Sequence, residues 1–422
     1  MITNNESKAK GFLVWGICAL FFLYEFFLRT VIGTFQHPLM YDLEISSFQF
    51  SLLSTTVFLF IYGIMQIPIG LIVDHLGLKK SLSIGAAICA FSAFAFSYSY
   101  NYPIAILHRM FMGLGASFGF ICLLVAVHDW MPRKYSALFI GLSQFIGTLG
   151  PMLAAGPLET IILSNNIDWH FVFLILGFIG IIILLLIILF VENNQHKAGR
   201  YIILHRPERA KASILRLFFR MQPWYIAMLS ACLYFSVEYL SENEGRSLLS
   251  LKGIESGFAS YMITISWLGY AIGSPVLGFL SDFTQRRQNM LILSATLGML
   301  SISTIVFVEH IYVLMIAFFI LGVSASGQSI GFAIISEQFK KQFIAVGFGL
   351  NNAMIMTLSS INAPLIGLLL DSRKVNGALS LHDYHITFLI LIAISIMAFI
   401  ISVFFIKETY CKSSVDFTYL NQ

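Results

Sequence analysis

Apolar runs of about twenty residues, separated by short polar segments, recur from one end of the chain to the other. A helix needs roughly 20 residues to cross about 30 Å of hydrocarbon. The pattern predicts twelve such helices, over 11–35, 48–73, 81–100, 103–127, 136–162, 171–191, 224–243, 257–281, 290–308, 311–336, 344–370 and 386–406. The longest polar connection runs from 192 to 223 and divides the helices six and six. The reading is an all-α membrane protein of two six-helix bundles, 1–191 and 224–422, joined by a basic linker at 192–223. Between the spans there is no room for an extramembrane catalytic domain.

The halves repeat. GLIVDHLGLKK (70–80) closes the second span and GFLSDFTQRR (278–287) closes the eighth. Gly70 and Gly278 are separated by 208 positions, as are Asp74 and Asp282, Asp129 and Glu337, and Gly141 and Gly349. A constant offset across several spans indicates an internal repeat, and two bundles in parallel orientation with a cavity between them is the architecture it predicts.

Composition agrees with the pattern. Of 422 residues 58% are hydrophobic and 11% charged, against roughly 25% charged in soluble domains. The basic residues fall on alternate sides: nineteen Lys and Arg flank one set of loops and the termini, and only Arg246, Lys252, Arg373 and Lys374 flank the other. By the positive-inside rule both termini are expected in the cytoplasm. The formal charge of +4 is thus mainly a topology signal, and no nucleic-acid surface is predicted. Cys18, Cys89, Cys122 and Cys232 lie within spans and Cys411 in the tail, which excludes a disulfide framework or a CxxC metal site. Lys8 and Lys10 precede an apolar run too long for a signal peptide, so the first span is read as retained. Neither a metal-site nor a nucleotide-binding pattern is present, and no cofactor is predicted. No N-x-S/T sequon falls in the predicted outer loops, which favours a bacterial inner membrane.

Several short motifs resemble those of a known family. GLIVDHLGLKK resembles the signature between the second and third helices of the major facilitator superfamily through Gly70, Asp74, Gly77 and Lys79, with His75 and Leu78 where that family favours basic residues. RMFMGLGAS is similar to its fourth-helix motif through Arg109, Gly113 and Gly115, and DWHFVF (168–173) resembles a common feature before the sixth helix. GTLGPMLAAGP (147–157) is partly similar to a fifth-helix pattern of antiporters, but Ala154 and Ala155 replace glycines and close helix packing explains it equally. The YEFFLR stretch (24–29) resembles the first helix of the branch that includes the lysosomal dipeptide carrier and bacterial relatives. The resemblance implies the twelve-helix fold of that superfamily and a transporter working by alternating access, not an enzyme. It also implies a cytoplasmic latch, with Gly70, Asp74, Gly77, Lys79, Asp129, Asp282, Arg286 and Glu337 as members; the plain alternative is charge pairing at helix ends.

The intramembrane charges carry most of the functional signal. A charge at bilayer centre costs roughly 2.5–3.5 kcal/mol even on lenient scales, so such residues face a cavity or a partner. Glu25 and Arg29 lie one helical turn apart and either form a structural pair or serve a solute. Glu238 sits about as deep in the first helix of the second half, and Arg109 about two turns inside the fourth span. An arginine fork suits carboxylate or phosphate recognition, while its bland role is to neutralise a buried acid. Gln144 and Ser143 align at the 208 offset with Asn352 and Asn351, and these residues either line a site or bond neighbouring helices. Tyr24 is a weaker site candidate. The expected partners are a small-molecule solute, protons and the lipid bilayer. The expected function is proton-coupled uptake of a small zwitterionic or anionic solute such as an amino acid or short peptide. A carrier or exporter of another organic metabolite, or a non-transporting receptor, is the alternative.

Overall fold

Several helices in this chain begin at a capping side chain or stop at a positive-φ residue, as at Ser46, Asn101, Gly77 and Gln285. A computed structural model describes residues 4–131, 136–165, 167–193, 220–339, 344–375 and 378–411. Within it the chain forms two compact units, Met1–Tyr201 and Ile202–Gln422. Residues 194–219, which carry most of the expected basic linker, lie outside the described residues.

In the first unit α1 (Asn4–Thr30) runs through a 3₁₀ turn, Val31–Phe35, into α2 (Gln36–Asp42). A capping box of Ser46 and Gln49 then starts α3 (Ser47–Ser51), and one π turn, Leu52–Thr56, leads into α4 (Val57–Leu76). α5 (Leu78–Phe96), α6 (Tyr102–Trp130), α7 (Ser136–Ala154), α8 (Gly156–Asn165) and α9 (Trp169–Phe190) complete the unit. The span expected over 136–162 is therefore two helices. Pro151 and Pro157 weaken the ladder there, and Thr34 Oγ1 donates to the Ala154 carbonyl at 2.6 Å where the helix stops.

α5 and α6 pack closely because both present small residues. A Cβ on Gly115 would lie 2.7 Å from the Cys89 backbone nitrogen and 2.8 Å from the Gly85 carbonyl. In the RMFMGLGAS motif Gly115 is thus a contact surface for the neighbouring helix.

The second unit contains α10 (Met221–Glu242), α11 (Gly245–Leu251), α12 (Ser256–Thr284), α13 (Arg287–Phe307) and α14 (Ile311–Ala325). It continues with α15 (Gln328–Gln338), α16 (Ile344–Arg373), α17 (Leu381–Thr387) and α18 (Leu389–Phe404). The expected tenth span is divided at Ser326–Gly327 between α14 and α15. Eleven helical stretches among the described residues are long and apolar enough to cross a bilayer. The expected seventh span corresponds to α10, whose 22 residues include Ser230, Ser236, Ser241, Glu238 and Glu242, all buried. Those polar residues make it less apolar than the other spans.

Lys252, between α11 and α12, closes the far end of α13. Its Nζ donates to the carbonyls of Ile305, Val306 and Val308 at 2.7, 2.9 and 2.6 Å. These are the acceptors a helix C-terminus leaves unbonded. Burial of the ammonium lowers the Lys252 pKa to about 8, partly opposed by the Glu309 carboxylate. Because the folded pKa lies below the ordinary lysine value, the folded chain releases this proton first, and stability contributed by this group rises as pH climbs above about 8. Acylation of Lys252 by an amine-directed reagent, followed by peptide mass spectrometry, should be half-maximal near pH 8. A rise delayed to the ordinary lysine range would contradict this placement.

Candidate functional site

The first unit places Glu25 and Arg29 on one buried face of α1. The Glu25 carboxylate lies against α6 at Gly119, where an added Cβ would stand 3.0 Å from Glu25 Cγ and 3.1 Å from Oε1. Arg29 sets its guanidinium over the Phe26 ring, 5.2 Å from the centroid. The one-turn spacing brings the two to one buried face, with the Arg29 charge within electrostatic reach of the Glu25 carboxylate.

Arg109, expected either to meet an anion or to neutralise a buried acid, is braced against backbone carbonyls. It is fully buried, and its fork is aimed at backbone: Nη1 donates to the Leu28 carbonyl at 2.7 Å, and Nη2 to the carbonyls of Arg29 at 2.6 Å and Ser54 at 3.0 Å. Nε reaches the Leu53 carbonyl at 3.3 Å, and the guanidinium lies 4.4 Å above the Phe58 ring. Leu28 and Arg29 are in the last turn of α1, and Leu53 and Ser54 in the π turn. Both places depart from the regular α-helical ladder, and one planar five-donor group binds carbonyls in both. Tyr24 likewise holds helices together, its hydroxyl donating to the Leu176 carbonyl at 2.8 Å. Gln144 is half-buried. Its neighbour Ser143 accepts from Trp15 Nε1 at 2.9 Å and donates to the Phe139 carbonyl at 2.6 Å.

In the second unit Glu238 is fully buried and accepts a short hydrogen bond from Ser359 on α16. Asn351 and Asn352 are buried on the same helix, and neither amide atom of Asn351 has a hydrogen-bond partner among the described residues. Sequence reasoning passed over Glu242, Asn243, Glu244 and Arg246, which follow as a buried polar stretch. Arg246, counted among the few basic residues of the outer loops, is buried. Its Nε donates to Ser260 Oγ at 2.8 Å and Nη1 to the Ser241 carbonyl at 3.1 Å. The signal was available: SENEGR is more polar than a loop flanking a span needs to be.

The motif expected to gate transport forms a charge network in the second unit, with one correction. Arg287 takes the part expected of Arg286. It donates to Asp282 at 2.6 Å through Nη1 and to Glu337 Oε1 at 3.0 Å through Nη2, and Thr409 adds a hydroxyl to Glu337. Gln285 adopts φ +51°, which turns Arg286 outward, where it is exposed, and Arg287 inward. Glu408, from the tail, accepts the backbone N–H of Arg287 at 3.0 Å and of Gln288 at 2.9 Å, capping α13.

The first unit uses the same device. Gly77 adopts φ +81°, and Asn193, just past α9, accepts the Lys79 N–H at 3.0 Å at the start of α5. A side chain at position 77 would be strained by its φ and would meet Asn193 at 2.9 Å. In each unit the segment after the sixth span returns to cap the helix that follows the signature loop. Around Gly70 a Cβ would meet nothing within 4 Å, and Asp129 and Lys79 are half-buried. The Asp74 side chain lies outside the described residues.

Among the described residues one group could hold a metal by proximity alone. Asp42, Asp168 and His170 bring ligand atoms within 4.8 Å of one another. Asp42 accepts from Trp169 Nε1 at 2.8 Å and His170 Nδ1 bonds the Ser97 carbonyl at 2.7 Å, so both already tie α9 to its neighbours.

The signature loop is present in both units, each followed by a helix capped from the end of its own bundle. The Major Facilitator Superfamily description matches residues 17–243 and 247–416. The chain belongs to this superfamily. It is similar to the uncharacterised transporter YybO of Bacillus subtilis, 21% identical over 189 residues that span 43% of this chain and 42% of that one. Solved superfamily structures share the fold at low identity. A bacterial homologue of the human lysosomal transporter Spinster, inward-facing and unoccupied, aligns with a TM-score of 0.74 at 15% identity, covering 94% of this chain and 96% of that one. A D-xylose-proton symporter gives 0.76 at 15%, covering 95% and 99%, and the nucleoside transporter NupG gives 0.73 at 13%, covering 93% and 98%. The chain is accordingly a multi-pass membrane protein of a transporter superfamily.

Proposed function

We propose that this superfamily member is a proton-coupled secondary carrier that imports a small zwitterionic or anionic organic solute, with amino acids and short peptides as the leading class. Support comes from a buried carboxylate on the first long helix of each unit, Glu25 against Gly119 and Glu238 bonded to Ser359. Arg29 supplies a cation on the same face as Glu25, suited to a solute carboxylate. A carboxylate in apolar surroundings is tolerated when protonated or paired, so proton uptake and solute binding each change what the first helix can bury. The Asp282–Arg287–Glu337 network, with Gly70, Asp74, Gly77, Lys79 and Asp129 in the first unit, acts as the latch that exchanges partners during alternating access. Its basic flanks are cytoplasmic, together with both termini, in a bacterial inner membrane.

A carrier of sugars or nucleosides is the second reading, favoured by the xylose symporter and NupG among similar folds. Proteoliposomes loaded with buffer and given an inward proton gradient decide between them. Labelled amino acids or dipeptides should accumulate above the external concentration. Accumulation of xylose or a nucleoside in their place would overturn the substrate class, and uptake insensitive to the gradient would overturn the coupling.

A further inference from the structure

The second unit holds a polar cluster where its first helix breaks, separate from Glu238. α10 ends at Glu242, Asn243 takes φ −131° and ψ −118°, and the chain restarts at Gly245. A Cβ on Gly245 would collide with the Leu240 carbonyl, so the close return of the backbone requires glycine. Glu244 sits in the break and is 2% exposed.

Its two carboxylate oxygens differ. Oε2 accepts from the Tyr384 hydroxyl at 2.7 Å, which commits that proton to this oxygen. Oε1 is buried with no hydrogen-bond partner among the described residues. The hydroxyl of Tyr239, fully buried and within electrostatic reach of Glu244 and Tyr384, also has none among them. Phe388 packs edge-on against both tyrosine rings, with centroids 5.9 Å from Tyr239 and 5.4 Å from Tyr384. Arg246, the nearest cation in sequence, directs donors to Ser260 and the Ser241 carbonyl.

A buried carboxylate oxygen needs a donor, and a positively charged donor satisfies it best. Aromatic rings around it add attraction for an organic cation. We propose that the helix break at Asn243–Glu244 is a binding site for an alkylammonium group, whose N–H bonds go to Glu244 Oε1 and the Tyr239 hydroxyl among the rings of Tyr239, Tyr384 and Phe388. For the carrier this assigns the amino end of the solute, and that physiological role rests on the carrier reading.

The site is testable without transport. The purified full-length protein is unfolded thermally in detergent with n-butylammonium chloride, with sodium chloride at equal ionic strength, and with n-butanol. Butylammonium should raise the midpoint saturably in the wild type and in Glu255→Gln, an exposed control. The shift should vanish in Glu244→Gln, and Tyr239→Phe should weaken the apparent affinity about tenfold, or about 1.4 kcal/mol. No shift in the wild type, an equal shift in Glu244→Gln, or an equal shift with butanol overturns the site. If Glu244→Gln does not fold, Tyr239→Phe decides, and unchanged affinity overturns it. Butylammonium binding in a protein that accumulates no amine-bearing solute would sink the carrier's substrate class and leave this site standing.

Discussion

Arg109→Leu is expected to unfold the first unit well before it changes solute recognition. The substitution leaves the carbonyls of Leu28, Arg29, Leu53 and Ser54 without the donors that bond them. Charge-assisted hydrogen bonds contribute about 1.5–3 kcal/mol each and are not additive, so a loss of about 3–5 kcal/mol is anticipated. Arg109→Lys should fall between, because an ammonium keeps the charge but lacks the planar fork needed to span the end of α1 and the π turn. Thermal unfolding in detergent, monitored by size-exclusion chromatography after heating, measures the effect. If both variants unfold like the wild type while uptake fails, Arg109 meets the solute directly and the bracing role is wrong.

That result bears on what the sequence made legible. Helix number, the repeat and the signature loops follow from hydrophobic periodicity and local motifs, because a bilayer forces every backbone bond to close within its helix. The direction of a long side chain does not follow in the same way. Depth in a span suits Arg109 to an anion or to a buried acid, yet the carbonyls that accept its hydrogen bonds lie 55 to 81 positions away. Arg286 and Arg287 were indistinguishable by composition, and a single positive-φ residue, Gln285, decided which faces Asp282 and Glu337.

The capping residues Asn193 and Glu408 escaped notice for a related reason. Each lies more than 100 positions from the helix start it serves, and nothing local to either marks it as a cap. The span expected over 224–243 stops inside the polar stretch Glu242–Arg246, so Glu244 and Arg246 fall beyond it although both are buried. Breaks inside spans have the same origin. Apolar content predicts that a segment lies in the membrane, whereas the ending of α7 at Ala154 depends on Pro151 and on Thr34 from another helix.

Glu25→Gln should abolish accumulation against a gradient while leaving exchange. Glutamine preserves the shape that packs against Gly119, where Glu25 Cγ would lie 3.0 Å from an added Cβ, so the fold should survive. What the amide lacks is a titratable proton. A carboxylate held between α1 and α6 can leave an apolar site cheaply charged on the wet side and return protonated, and that cycle ties solute movement to the proton gradient. Under the proposed coupling of one proton per solute, an imposed gradient of about two pH units would let the wild type concentrate solute up to about a hundredfold, since each pH unit is about 1.36 kcal/mol. The variant should equilibrate solute to a ratio of about one and still exchange internal for external label, because exchange requires no net proton movement. Steady-state accumulation and counterflow, measured in the same proteoliposomes, separate these outcomes. Wild-type accumulation by Glu25→Gln would remove Glu25 from coupling and leave Glu238, whose carboxylate is held by Ser359 in the other unit, as the acid to be replaced next.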